Sequence, residues 1–398
     1  MSDELSQHEL EENTPIESKS ADADEMTEEQ LAEAKRYNHQ KLVVGLIEMA
    51  VDIVFLALVA FLVARPIDEL LAGASWLQNM WVRLAAFFTI IGAASFCVSL
   101  PFSYYSGFVL EHRFGMSRQT LRGWSLRLIK SGVLAFLFGL LMVEGLFFMI
   151  WLTGAYWWLA ASAAFFAVSV MFGQLMPILI LPLFYKVERL EDEELMDRFE
   201  KLAKETDLSI EGVYRLHLSA ETSKANAALT GLGHTRRVLL GDTLIDKFTP
   251  DEIEVVLAHE IGHHVFRHIP KLILFGLIYS TISFFLCDVI IKAWVGESFS
   301  YDAVPVYALP MLILVITVFS TFLAPLKNIL SRRFERQCDC YALERTGLKE
   351  SFISAFNKLA TQNKADPNPH PLEVFLLHDH PPISERLQMA HDFEGTCD

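Results

Sequence analysis

The 398-residue chain is 52% hydrophobic with a mean hydropathy of +0.32. It is too apolar for an ordinary soluble domain and long enough for several membrane crossings plus a catalytic layer. Its formal net charge is −16, but Asp and Glu crowd residues 1 to 33, where Lys19 is the only base, so the imbalance describes a tail and not a binding surface. No basic patch points to nucleic acid, which is excluded as a partner.

Residues 1–34 read as a disordered acidic tail. They have neither the positive start nor the apolar core of a cleavable signal peptide. The rest is expected to be mainly α: a polytopic membrane helical protein with about six transmembrane helices and a small cytoplasmic α+β domain. Residues 35–185 hold four apolar runs (42–64, 84–109, 128–151 and 157–184), and 271–330 hold a hairpin of two more (271–293 and 305–328), each at or above the length of about 20 residues that crosses a bilayer. Pro177 and Pro182 should kink or end the fourth run. Lys35, Arg36 and Lys41 precede the first run, and Arg113, Arg118, Arg122, Arg127 and Lys130 follow the second, so both places belong on the cytoplasmic side. Alternation then puts both termini, residues 186–270 and everything after 329 inside the cell. Glu48, Asp52, Glu144 and Asp288 are the acids within the runs, too few to favour a transporter or channel.

Residues 186–270 are expected to form the catalytic domain. The β-favouring stretches Val213-Tyr214-Arg215-Leu216 and Arg237-Val238-Leu239-Leu240 flank Ala225-Asn226-Ala227 and suggest a small β-ribbon. An exposed strand edge can hold an extended peptide by main-chain hydrogen bonds. Thr249-Pro250-Asp251-Glu252 is a helix start, and the helix it opens, expected to run to His268, carries His259-Glu260-Ile261-Gly262-His263. Residues four apart share a helix face, so His259 and His263 can offer two imidazoles to one Zn²⁺ while Glu260 reaches a metal-bound water. His264 and His268 read as a second pair at the rim, with no acid between them.

The hairpin geometry predicts the third ligand. The helix before it and the segment 331–398 after it both project roughly 10 Å past the hydrocarbon on the same side, so Glu335 can complete a two-His, one-Glu site with an open fourth position. Asp339, one turn on, can hydrogen-bond a ligand imidazole. Cys97, Cys287, Cys338, Cys340 and Cys397 are odd in number and scattered, so they are expected as reduced thiols, with Cys338 and Cys340 on different helix faces.

These residues resemble the type I CAAX prenyl endopeptidases, membrane zinc metalloproteases of the gluzincin kind. The resemblance covers about Lys35 to Ala390. It rests on Pro101-Phe-Ser-Tyr-Tyr, Phe108-Val-Leu-Glu with Gln119-Thr-Leu, Pro182-Leu-Phe-Tyr-Lys, Ser223-Lys-Ala-Asn-Ala, the zinc motif, Ser331-Arg-Arg-Phe-Glu-Arg-Gln-Cys-Asp, and His380-Pro-Pro with Glu385-Arg-Leu. It implies one Zn²⁺ per chain and a peptide or protein substrate, prenylated or not, reached at the lipid bilayer and cut three residues from its C-terminus. By resemblance His380 is a donor to the developing oxyanion, with His378 its competitor, and Arg386 braces an acidic partner or the substrate. Asn226 and Ala227 match a substrate-aligning segment. Cys338 and His264 depart from the family pattern. So does the lack of the extra first span of eukaryotic members, which with the short loops favours a bacterial inner membrane over the endoplasmic reticulum. General removal of membrane proteins without a prenyl requirement is the alternative; a catalytically inactive scaffold would be expected to have lost Glu260.

Overall fold

The structure, a computed structural model, describes residues 25–204, 206, 211–231 and 236–397. The expected acidic tail lies outside the described residues up to residue 24, and its far end is not a tail. Helix α1 (Glu28–Leu58) begins at a capping box, in which the Thr27 hydroxyl accepts from the Gln30 N–H and the Gln30 side chain accepts from the Thr27 N–H. Glu28 and Glu29 add favourable charge in the first turn, so the helix starts seven residues before the expected boundary at Lys35.

Helix α1 continues through a π-helical turn (Val59–Val63) into α2 (Ala64–Ala72), and α3 (Met80–Tyr104) through another (Tyr105–Leu110) into α4 (Glu111–Arg113). Helices α5 (Leu121–Thr153) and α6 (Trp157–Leu175) are joined by a single 3-10 turn. The rings of Phe138 and Phe172, on opposite sides of that turn, lie 4.4 Å apart, so the two helices double back on each other. Pro177 sits in a π-helical turn (Met176–Ile180) that ends α6 and leads to the short α7 (Leu181–Phe184), as its missing N–H requires. The catalytic layer follows: β1 (Val187–Arg189), α8 (Glu193–Lys204), β2 (Gly212–Leu216), β3 (Ala227–Thr230), β4 (Arg237–Gly241), α9 (Asp242–Ile245) and α10 (Pro250–Val265). The chain re-enters the bundle as α11 (His268–Val295) and returns as α12 (Leu309–Thr346). It finishes with α13 (Lys349–Asn363), α14 (Pro371–Leu377) and α15 (Ile383–Asp392).

Five continuous segments among the described residues are long and apolar enough to cross a membrane: Glu28–Ala72, Met80–Arg113, Leu121–Phe184, His268–Ser298 and Val306–Thr346. Leu62, Leu141 and Phe322 on them point outward, which suits hydrocarbon and not water. Among the described residues, most of the side chains that these helices bury lie at one end. Helix α5 buries Leu146, Phe147 and Ile150, and α6 buries Trp157, Ala161 and Ser162, all beside their shared turn. There Asp288 accepts from Trp157 Nε1 at 2.8 Å and Tyr301 Oη at 3.0 Å and pairs with Lys292 at 2.7 Å. Toward the other end the helices splay, and a second core closes the catalytic layer around Leu240, Ile253, Leu257, Phe352 and Phe356.

The expected β-ribbon is instead one edge of a four-stranded mixed sheet of order β1-β2-β4-β3. Strands β2 and β4 pair in parallel, Val213 opposite Val238, and so cannot be the two arms of a hairpin. Strands β1 and β2 pair antiparallel, as do β3 and β4, with Ala228 opposite Leu239, and β3 lies at the edge.

Candidate metal centre and substrate cleft

Thr249 and Glu252 form a reciprocal capping box with Pro250 in the first turn, so α10 starts where its sequence says it should. The helix ends at Val265, and Arg267 takes a left-handed conformation with φ 54° before α11 begins. This break overturns the reading of His264 and His268 as a second rim pair, because the two no longer share one helix. His268 is fully buried, stacked 4.0 Å from the Phe334 ring.

His259 and His263 face Glu335 of α12. His259 Nε2 lies 3.2 Å from Glu335 Oε2, and His263 Nε2 lies 3.3 Å from Glu335 Oε1. One atom of each residue falls within 4.8 Å of the others, a span that one metal ion can bridge. Glu335 Oε2 is buried and makes no hydrogen bond, an orphan acceptor that costs free energy unless a cation meets it. The two Nδ1 atoms are already engaged: that of His259 with Asp339 Oδ1 at 2.8 Å, that of His263 with His268 Nδ1 at 3.2 Å. With the protons held on Nδ1, both Nε2 lone pairs are free to bind a metal. Burial pulls the His259 imidazole toward neutrality, but the carboxylates of Asp339 and Glu335 on either side outweigh it and lift its pKa to about 9. The donor set asks for positive charge, and it fits a divalent cation.

Asp339 is fully buried and receives a two-pronged grip from Arg386, whose Nε donates to Oδ2 at 2.8 Å and whose Nη2 donates to Oδ1. The guanidinium lies 3.9 Å over the Phe356 ring. Arg386, expected to brace an acidic partner or the substrate, therefore meets the acid. Removing one member of such a buried pair typically costs about 3–5 kcal/mol, because the other charge is stranded.

A cleft of about 540 Å³ opens over His259 and Glu335 and is lined by Asn226, Ala227, Glu260 and His380 among others. Glu260 Oε2 accepts from the Leu229 N–H of β3 at 3.2 Å, which sets the acid against the edge strand. Asn226 is exposed at the start of that edge, and Asn363 holds Ala225 through both its N–H and its C=O at 2.9 and 3.2 Å. His380 Nε2 is 3.6 Å from Glu335 Oε2. Its Nδ1 meets Asp379 at 2.8 Å, and that hydrogen bond, opposed by burial, raises its pKa. His378 also lines the cleft, but its Nε2 turns to Glu373 at 3.1 Å.

Three residues of weight here were misread or went unread in the sequence. His268 supports a histidine of the site, and Asn328 and Arg332 pin the segment that carries His380 by donating to the carbonyls of Leu376, Val374 and His378. The i, i+4 spacing of Asn328, Arg332 and Arg336 was the available signal. The cysteine expectation is corrected in part. Cys340 is joined to Cys397, whereas Cys97, Cys287 and Cys338 are free. The return of the C-terminal segment past α12 makes that bond, and 57 residues of separation hid it.

Residues 9–186 match the family described as CAAX prenyl protease N-terminal, five membrane helices, and residues 189–394 match peptidase family M48. An uncharacterized metalloprotease, YhfN, of Bacillus subtilis is 27% identical over 93% of this chain and 88% of its own length. CAAX prenyl protease 1 of Saccharomyces cerevisiae is 31% identical over 76% of this chain and 70% of its own. The crystal structure of S. mikatae Ste24p superposes with a TM-score of 0.79 at 28% identity, covering 92% of this chain and 89% of that one. With its two histidines and a glutamate converging beside an edge strand, the chain belongs to peptidase family M48 and is an integral membrane metalloendopeptidase.

Proposed function

We propose that the chain is a zinc endopeptidase that removes the last three residues from prenylated CAAX-type C-termini, working at the cytoplasmic face with both termini inside the cell and six helical crossings. The CAAX prenyl proteases among its relatives support the substrate class, and the basic residues flanking the first two membrane segments support the orientation. The observation that carries the chemistry is the orphaned Glu335 oxygen between two imidazoles, with Glu260 in the same cleft.

In this reading His259, His263 and Glu335 hold the metal, and Asp339, gripped by Arg386, fixes the His259 ring. Zinc bound there supplies a Lewis acid that polarises the scissile carbonyl and acidifies water. Zinc is the expected ion because imidazole and carboxylate donors with an open position are its usual catalytic set. The substrate lies along β3 from Asn226 and Ala227 onward, paired by main-chain hydrogen bonds that ask little of its sequence. Glu260 takes the proton of the attacking water and returns it to the leaving amine. His380, its Nδ1 engaged by Asp379, presents an Nε2 proton to the oxyanion that develops on the carbonyl.

Glu260→Gln is expected to retain zinc in metal analysis while peptide cleavage falls by about 10²–10⁴-fold. Cleavage that persists would remove Glu260 from the reaction. Wild-type enzyme is expected to cut a farnesylated peptide faster than its unmodified twin; equal rates would favour general membrane proteolysis.

A further inference from the structure

A second cavity, of about 470 Å³, lies on the membrane side of β3. Its walls are Gly173 of α6, Met176 and Pro177 of the π-helical turn, Leu229 of β3, and Ile269 and Ile273 of α11. The volume is within the range of small-molecule sites, which are mostly apolar with a few polar groups. Two features connect it to the metal centre. Asn226 and Ala227 line both this cavity and the cleft over Glu260 and Glu335. Leu229 lines the cavity with its side of the strand while its N–H donates to Glu260. The cavity lies beside the part of α6 from Ser169 onward, which buries none of its side chains, whereas Trp157, Ala161 and Ser162 near its first turns are buried.

We propose that this cavity is the subsite for the thioether-linked isoprenoid of the substrate. The inference rests on the prenyl-CAAX reading above. A peptide paired to the edge of β3 has its scissile bond at Glu260, and the residue before that bond carries the lipid. From there an S-linked chain has an apolar path past Ala227 and Leu229 into the space between α6 and α11. The isoprenoid leaves water or lipid for a shaped apolar wall, and each methylene so buried favours prenylated over bare peptide. The π-helical turn at Met176 and Pro177 keeps the cavity open, since a regular helix would carry different side chains inward.

Gly173 offers a clean probe, because an added Cβ there meets no heavy atom within 4 Å, so a large side chain can occupy the cavity without displacing backbone. The measurement is the ratio of kcat/KM for a farnesylated CAAX peptide to that for its unmodified twin, with the full chain in detergent. In Gly173→Phe this ratio is expected to fall about tenfold or more, whereas Gly92→Phe, at another glycine with open space around it on α3, should keep the wild-type ratio. An unaltered ratio in Gly173→Phe with a clear wild-type preference overturns the subsite and leaves the prenyl reading standing. No preference in the wild type overturns the reading itself, and the subsite falls with it. Should Gly173→Phe not fold, photolabelling of Glu260→Gln with a benzophenone-bearing isoprenyl peptide decides the matter. Label on Met176 is expected, displaced by farnesylated peptide; label elsewhere, or Met176 labelled instead by a photoreactive phosphatidylcholine that the peptide does not displace, defeats the proposal.

Discussion

His268 takes the Nδ1 proton of His263 as an acceptor, and its own Nε2–H donates to Gln337 Oε1 at 3.0 Å. With the Gln337 carbonyl turned to His268, the protons run from His263 Nδ1–H to His268 Nδ1 and from His268 Nε2–H to Gln337 Oε1, and Cys338 Sγ lies 3.6 Å from the same His268 Nδ1. A neutral His268 stacked on Phe334 thus does for His263 what Asp339 does for His259. Partners of this kind are worth roughly 10–100-fold in metal affinity. His268→Phe, which keeps an aromatic against Phe334 but offers no acceptor, is expected to weaken zinc binding by about that factor, read by competition with a chromophoric chelator. His268→Gln should recover part of it. If zinc affinity holds in His268→Phe while thermal stability falls, the role is packing alone. The spacing of His259, Glu260 and His263 made the ligand face legible in the sequence. Of the partners of their Nδ1 atoms only Asp339 was read from the sequence; His268 lies beyond the break at Arg267, a boundary that Pro270 marks.

At the scale of elements, the site depends on how closely α10 and α12 approach. Gly262 lies against Cys338, and a Cβ built at Gly262 would stand 3.1 Å from Cys338 Cα and 3.2 Å from its Sγ. The glycine inside the zinc motif is therefore a contact surface, and it lets the two ligand-bearing helices meet within reach of one ion. Gly262→Val would force the helices apart or strain the contact, at a cost of about 1–3 kcal/mol. The expected outcome is a lower thermal midpoint together with weaker zinc binding; a variant with wild-type values in both would show that the helices have slack. On the opposite element, Asn328, Arg332 and Arg336 hold the stretch from Val374 to Glu385 along one face of α12. That clamp lets a loop present His380 at 3.6 Å from Glu335.

For the whole molecule, the loops after α2, α5 and α11 gather at the converged end, where Asp68 pairs with Arg83 at 3.2 Å and Asp288 meets Trp157. The start of α1 gathers with the catalytic layer at the other end, through Tyr37 with Glu111 at 2.6 Å and Lys364 with Glu33 at 2.7 Å. Single cysteines in place of the exposed Ser298 and Lys247 therefore sit on opposite faces. On a Cys97→Ser background in intact cells, an impermeant maleimide is expected to label Ser298→Cys and to spare Lys247→Cys. The reverse pattern would place the metal centre outside. The splayed end also gives the active cleft and the apolar cavity their space, since a bundle packed along its full length would leave no room beside β3.

The sequence by itself determined the apolar segments and the capped zinc-motif helix and brought Glu335 forward as a candidate third ligand, because each is written in periodicity, spacing or charge that neighbouring residues enforce. It also separated the faces of Cys338 and Cys340 by helix geometry alone. Tertiary structure decided the parallel pairing of β2 with β4, the bond between Cys340 and Cys397, the burial of His268 and the grip of Arg386 on Asp339. Each of these joins segments that only the folded chain brings together, and the free energy that selects them comes from desolvation and packing between elements, terms with no period along a single strand or helix.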